Sequence, residues 1–176
     1  MNGMTEKAHP TIGCCDIDCG LCPRLYTRGP SRCPGCGGEG FSEKHPACGF
    51  HSCCFKKRGF EVCAQCPDYP CSRFGRETGE RDSFVLHRRV RANQALIKEQ
   101  GLTAFLTQQE RRMVFLQEAL ANFDDGRCTS YFCIAAALLT PASLEAALQR
   151  ARAGKDIKVL LQECADKQGQ ELKLRK

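Results

Sequence analysis

The placement of the cysteines constrains this chain more than any other feature. It has 15 cysteines in 176 residues; twelve lie between Cys14 and Cys71, and Cys128, Cys133 and Cys164 follow. Three Cys-x-x-Cys pairs occur in the first stretch: Cys19/Cys22, Cys33/Cys36 and Cys63/Cys66. Two residues between thiolates make a tight turn that aims both sulfurs at one cation. Cys48-x4-Cys53 and Cys66-x4-Cys71 also have chelating reach. The same stretch is poor in large aliphatics and rich in Gly and Pro, as in Arg32-Cys33-Pro34-Gly35-Cys36-Gly37-Gly38. Such a segment buries too little apolar area to offset its ordering entropy, so it needs a staple. Met1 to Ile12 carry no apolar leader, so the expected compartment is the cytoplasm. Disulfides are disfavoured there, and clustered thiols read as metal ligands.

The expected ligands are Cys15, Cys19, Cys22, Cys33, Cys36, Cys48, Cys53, Cys63, Cys66 and Cys71. Cys14 and Cys54 stand behind them. Each adjoins another cysteine, and side chains one residue apart seldom reach the same tetrahedral ion. Ten sulfurs suit two closed zinc sites with spare thiols; a third ion needs all twelve sulfurs or an imidazole. His45 and His51 are the imidazoles at hand, each otherwise read as a solvated loop histidine. The spacing leaves open which sulfurs share an ion.

The alternative cofactor is an iron–sulfur cluster. Cys15-x3-Cys19-x2-Cys22 has the spacing of radical S-adenosylmethionine enzymes, and Cys14-x4-Cys19-x2-Cys22 that of a plant-type ferredoxin run. Zinc is preferred because Cys33-Pro34-Gly35-Cys36-Gly37 has the composition of a zinc knuckle and because the cysteines come in pairs.

Beyond Arg76 the pattern turns helical. Val85, Leu86, Val90, Leu96 and Ile97 predict a helix from about Ser83 to Gln100 that stops at Gly101. Thr107-Gln-Gln-Glu110 fits a capping box and predicts a second start there, with Asp124-Asp125-Gly126 as its end. Tyr131 to Leu139 is apolar all round and predicts a central, buried helix from about Ser130. Thr140-Pro141 restarts the chain to about Arg152, and Asp156 caps a fifth helix through Leu160, Leu161 and Cys164. The expected fold is mostly α. A small irregular Cys-rich zinc domain over 1–76, made of knuckles with short strands or helical turns, packs on a bundle of about five helices over 77–167. A polar tail over 168–176 frays.

Taken together, Cys15-Asp-Ile-Asp18-Cys19-Gly-Leu-Cys22-Pro23, Cys33-x-x-Cys36, Cys48-x4-Cys53 and Cys63-x-x-Cys66-Pro-Asp-Tyr-Pro70-Cys71 resemble the prokaryotic cysteine-rich family catalogued as domain-of-unknown-function family 3795. The resemblance covers about 15–71, and Asp124-Asp125-Gly126-Arg127 with Phe132-Cys133-x-Ala-Ala resembles the helical extension of longer members. It implies zinc binding without an established reaction. Asp16 departs from the family, which usually has Gly after the first Cys, and Cys54 stands where members often have Ala.

The expected role is a metal-stabilised binding or adaptor module with a protein partner. The alternatives are a nucleic-acid-binding zinc protein and an iron–sulfur redox protein or metalloenzyme. Enzyme motifs are scarce: there is no phosphate-binding glycine loop and no His-Glu-x-x-His. Phe55-Lys56-Lys57-Arg58-Gly59-Phe60 could track phosphates with stacking rings, and Arg88, Arg89, Arg91, Arg111 and Arg112 could form a second basic face. Asp124, Asp125 and Arg127 read as helix termination, Cys133 as core, and Cys128 as the better placed reactive thiol. No apolar run reaches the ~18 residues of a membrane span. The formal charge is +6 with neutral thiols. Each four-thiolate zinc adds 2 − 4 = −2, so two ions leave about +2 and three about 0. That loss of basic excess places the nucleic-acid reading second.

Overall fold

The computed structural model describes residues 6–75 and 81–176. The Cys-rich part is built of helical turns. Helix α1 (Phe41–Lys44) and α2 (Gly49–His51) are single turns, and α2 runs into a π-turn over Ser52–Lys57. Short 3-10 turns occupy Cys19–Leu21, Pro23–Leu25 and Cys63–Gln65. Among the described residues no strand forms; one antiparallel bridge joins Ile12 and Asp18. The long helices follow: α3 (Val90–Gln100), α4 (Leu102–Asn122), α5 (Thr129–Leu138), α6 (Pro141–Arg152) and α7 (Ile157–Lys167). The chain is mostly helical, as its periodicity predicts. The boundary placed at Arg76 falls outside the described residues.

Three helix signals act as read. Gly101, at φ 86, ends α3. Thr140 Oγ1 accepts the Ser143 amide ahead of Pro141, and Asp156 Oδ1 accepts the amides of Lys158 and Val159. Helix α5 is buried on most sides, from Phe132 through Ala137.

Three features differ from the expectation. Helix α3 begins at Val90 instead of Ser83, after a 3-10 turn over His87–Arg89. The Asp82 carboxylate accepts the Arg88 amide and the Arg175 amide, so residues 82–86 are held as a loop while Leu86 still reaches the core. Helix α4 begins five residues before Thr107. Phe105 is buried and Leu102 and Leu106 pack beside it, and this apolar face recruits the turn, so Thr107 Oγ1 merely donates to Thr103 O. The tail beyond Gln168 is docked: Arg88 Nη2 donates to the carbonyls of Glu171 and Lys173, and Leu172 and Leu174 pack on the main core.

The two halves share cores. Leu21, from the Cys19–Leu21 turn, joins the main core of Phe115, Leu116, Phe132, Leu144 and Leu161. Ile12 and Val62, both 0% exposed, pack with Ile97 and Phe105 of α3 and α4. Each such side chain stabilises the contact by about 1.5–3 kcal/mol. A third cluster is built on Cys14, Cys36, Cys54, Cys63, Phe41, Phe55 and Phe74, with Val90 of α3 closing it.

Candidate metal centre

Four buried thiols form a row. Cys14 Sγ lies 3.9 Å from Cys36 Sγ, and the Cys14 amide donates to that same sulfur at 3.4 Å. Cys54 is in thiol contact with Cys14 on one side and Cys63 on the other. Each comes from a different turn. Cys36 ends the Cys33–Cys36 turn, where Gly35 and Gly37 have φ 86 and 70. A Cβ on Gly35 would stand 2.3 Å from Pro10 O, the oxygen that accepts the Cys36 amide, so this close crossing requires glycine. Cys54 projects from the π-turn, a geometry that recurs at functional sites. Cys63 opens a 3-10 turn, and its amide donates to Cys14 O at 2.8 Å. Thiols donated by Cys36 and Cys54 hold Cys14 well below the usual cysteine range, and push Cys36 and Cys54 well above it.

His51 stands over this row. It is 6% exposed, with its ring 5.0 Å from Phe41 and 5.5 Å from Phe55. Its Nε2 is buried and has no hydrogen-bond partner. A Cβ on Gly37 would lie 2.9 Å from that nitrogen, so it faces the Cys36 turn. Burial holds its imidazole below the usual histidine range. Buried Lys7 lies beside Gly37 as well: its amide donates to Gly37 O and its Nζ to Ile12 O at 2.5 Å. The sequence offers His51 as a candidate imidazole ligand, with a solvated loop histidine as the preferred reading, and carries no signal for Lys7.

A second group of thiols, Cys15, Cys19, Cys22, Cys33 and Cys48, lines a cavity of about 870 Å³ that Cys14 and Cys36 of the row also border. Burial pushes Cys15 up to about 12, and Cys19 and Cys22 also rise. A soft dication would reverse this, since it displaces the thiol proton. Cys66 accepts from Arg58 Nη1 at 3.1 Å, and Arg58 also pairs with Asp68 at 2.5 Å. Cys53 and Cys71 are half-buried, and Cys71 packs on the Cys-rich core.

Among the described residues, the three His, Cys, Asp or Glu side chains whose ligand atoms all lie within 4.8 Å of one another are Asp124, Asp125 and Cys128. The structure thus brings the candidate cysteines together in neighbouring pairs and rows, not in closed tetrahedra. The Asp124 trio is occupied with its own loop. Asp124 Oδ1 accepts the amides of Gly126 and Cys128, Asp124 Oδ2 accepts the Thr129 hydroxyl, and Cys128 Sγ donates to Asp125 Oδ1. Cys133 is core, and burial raises its thiol.

Two carboxylates adjoin the thiols. Asp16 sits at φ 65, in the region that favours glycine. Its side chain is 0% exposed and accepts from Gln94 Nε2 and the Ala64 amide, while Asn93 Nδ2 donates to its carbonyl. Burial pushes its carboxyl up to about 7. Asp18, which accepts from Gln109 Nε2 at 2.7 Å, is pushed up to about 6 by burial.

The basic stretches are largely engaged. Phe55 is buried, and Phe60 is half-buried against the Cys-rich core. Arg111 pairs with Glu145. Arg112 donates to the carbonyls of Ala136 and Leu139, and burial lowers its guanidinium to about 10. Arg91 donates to Tyr69 and Gly75 O. No helix among the described residues is long and apolar enough to cross a membrane.

Compared with known proteins, the chain matches no family model, no curated protein and no solved structure.

Proposed function

We propose that the chain is a zinc-binding protein whose Cys-rich half is organised by bound metal and serves as a binding or adaptor module for a protein partner. The observation that carries this reading is the row Cys36–Cys14–Cys54–Cys63 beneath an orphaned His51 Nε2. A buried nitrogen without a partner costs about 1–3 kcal/mol, and a metal would remove that cost. Sulfur and imidazole donors are the set zinc prefers. Cys14, Cys36, Cys54 and Cys63 would hold one ion with His51 adjacent, and Cys15, Cys19, Cys22, Cys33 and Cys48 would supply the other. The metal's chemistry at the buried row is structural, joining four turns that have little apolar area of their own. The resemblance to the cysteine-rich family points the same way.

Chelation tests this. On incubation with a strong chelator, the account expects loss of zinc together with loss of protection of the amides in 7–75. An unchanged structure after complete metal removal would overturn it. In variants, Cys14→Ser and Cys54→Ser should each lose about one zinc per chain, whereas Cys164→Ser should lose none.

A further inference from the structure

The thiol-lined cavity has a second wall that the metal reading does not use. Besides Cys15, Cys19 and Cys48, the rings of Phe41, Phe50, Phe74 and Phe84 line it. The Phe50 and Phe74 rings meet tilted, with centroids 4.8 Å apart, and Phe84 is 54% exposed with the Arg24 guanidinium 5.6 Å over its ring. Arg24, Lys44, Arg73 and Arg81 also line it, with His45 and His87, and no acidic side chain lines it among the described residues. Arg58, Arg111, Arg150 and Arg152 each have a carboxylate partner. Among the described residues no salt bridge engages Arg24, Lys44, Arg73 or Arg81.

We infer that this cavity is a binding site for a small organic anion: an aromatic or otherwise flat apolar body carrying a carboxylate or phosphate. The volume, about 870 Å³, is that of a small-molecule site. The rings supply an apolar floor for the body of the ligand, and the guanidinium groups of Arg24, Arg73 and Arg81 offer forked donors to its acidic group. A four-thiolate zinc on the thiol wall would add about −2, against four cations, and leave the cavity about +2. The preference for an anion therefore holds with the metal bound or absent.

The test is titration of the purified full-length protein with 2-naphthoate, 2-naphthyl phosphate and 2-naphthylmethylammonium, followed by calorimetry and amide shifts. The two anions should bind at least about tenfold tighter than the ammonium, and Arg73→Glu and Lys44→Glu should each weaken the anions about tenfold. Phe84→Ser should weaken all three ligands. Equal affinity for the ammonium, or an anion affinity untouched by both charge reversals, would overturn the inference. For any variant that loses helicity, the wild-type shift map decides: changes at 13–24, 44–50, 73–75 and 81–87 support the site, and changes confined to other described residues refute it. Zinc content is measured on the same samples. Selective anion binding by metal-free protein would keep this inference and remove the zinc reading.

Discussion

At Asp16 a single residue combines two opposed effects. A non-glycine residue at φ 65 costs about 1–2 kcal/mol in backbone strain. The same residue's carboxylate satisfies Gln94 and the Ala64 amide, which are buried with it. Leaving those donors unpaired costs about 1–3 kcal/mol. Asp16→Gly should therefore lower stability by about 1–2 kcal/mol in a urea titration, even though glycine is the residue the backbone prefers. A rise in stability would mean that strain dominates. His51 gives a second test at this scale. His51→Phe keeps an aromatic ring between Phe41 and Phe55 but removes the nitrogen. The metal-free variant should be at least as stable as metal-free wild type, since the orphan is gone, while its zinc affinity falls by about tenfold or more.

At the scale of elements, the boundary between α3 and α4 separates local from tertiary control. Gly101 has φ 86 and ψ 163, a conformation open essentially to glycine alone. Gly101→Ala should cost about 1–3 kcal/mol. Thr107→Ala should stay within about 0.5 kcal/mol, because Thr107 lies inside α4 and caps nothing. A used capping box would instead have cost about 1 kcal/mol. The same division explains what could be read from the sequence. Gly101, Thr140-Pro141 and Asp156 are local signals, each acting within four residues, and all three mark real helix ends. The Thr107 box is equally local, but the burial of Phe105 against Ile12 and Val62 overrides it. No periodicity reports that contact. The thiol row is hidden for a related reason. Cys14 meets Cys36 through a crossing set by Gly35 and Pro10, and meets Cys54 through a π-turn. Spacing along the chain marks Cys33/Cys36 as a pair and carries no information on which turn crosses which. It also ranks Cys14 and Cys54 behind their neighbours, although the fold places both at the centre of the row.

For the molecule as a whole, the shared cores matter more than a division into a metal part and a helical part. Leu21, Ile12 and Val62 leave the Cys-rich half to pack with α3, α4 and α5. Losing order in residues 7–75 would therefore strip contacts from the bundle. Heating metal-free protein should show the helices melting at lower temperature than in the metal-bound form, in one cooperative step with the Cys-rich half. The docked tail ties a further segment into this unit, through Asp82 and Arg88.

The proposed zinc-binding role rests on metal being resident in the protein. Metal analysis of protein purified without oxygen tests that most directly. The account predicts about two zinc ions per chain, bound without visible absorbance. Protein free of metal, or protein carrying iron with inorganic sulfide, would contradict it.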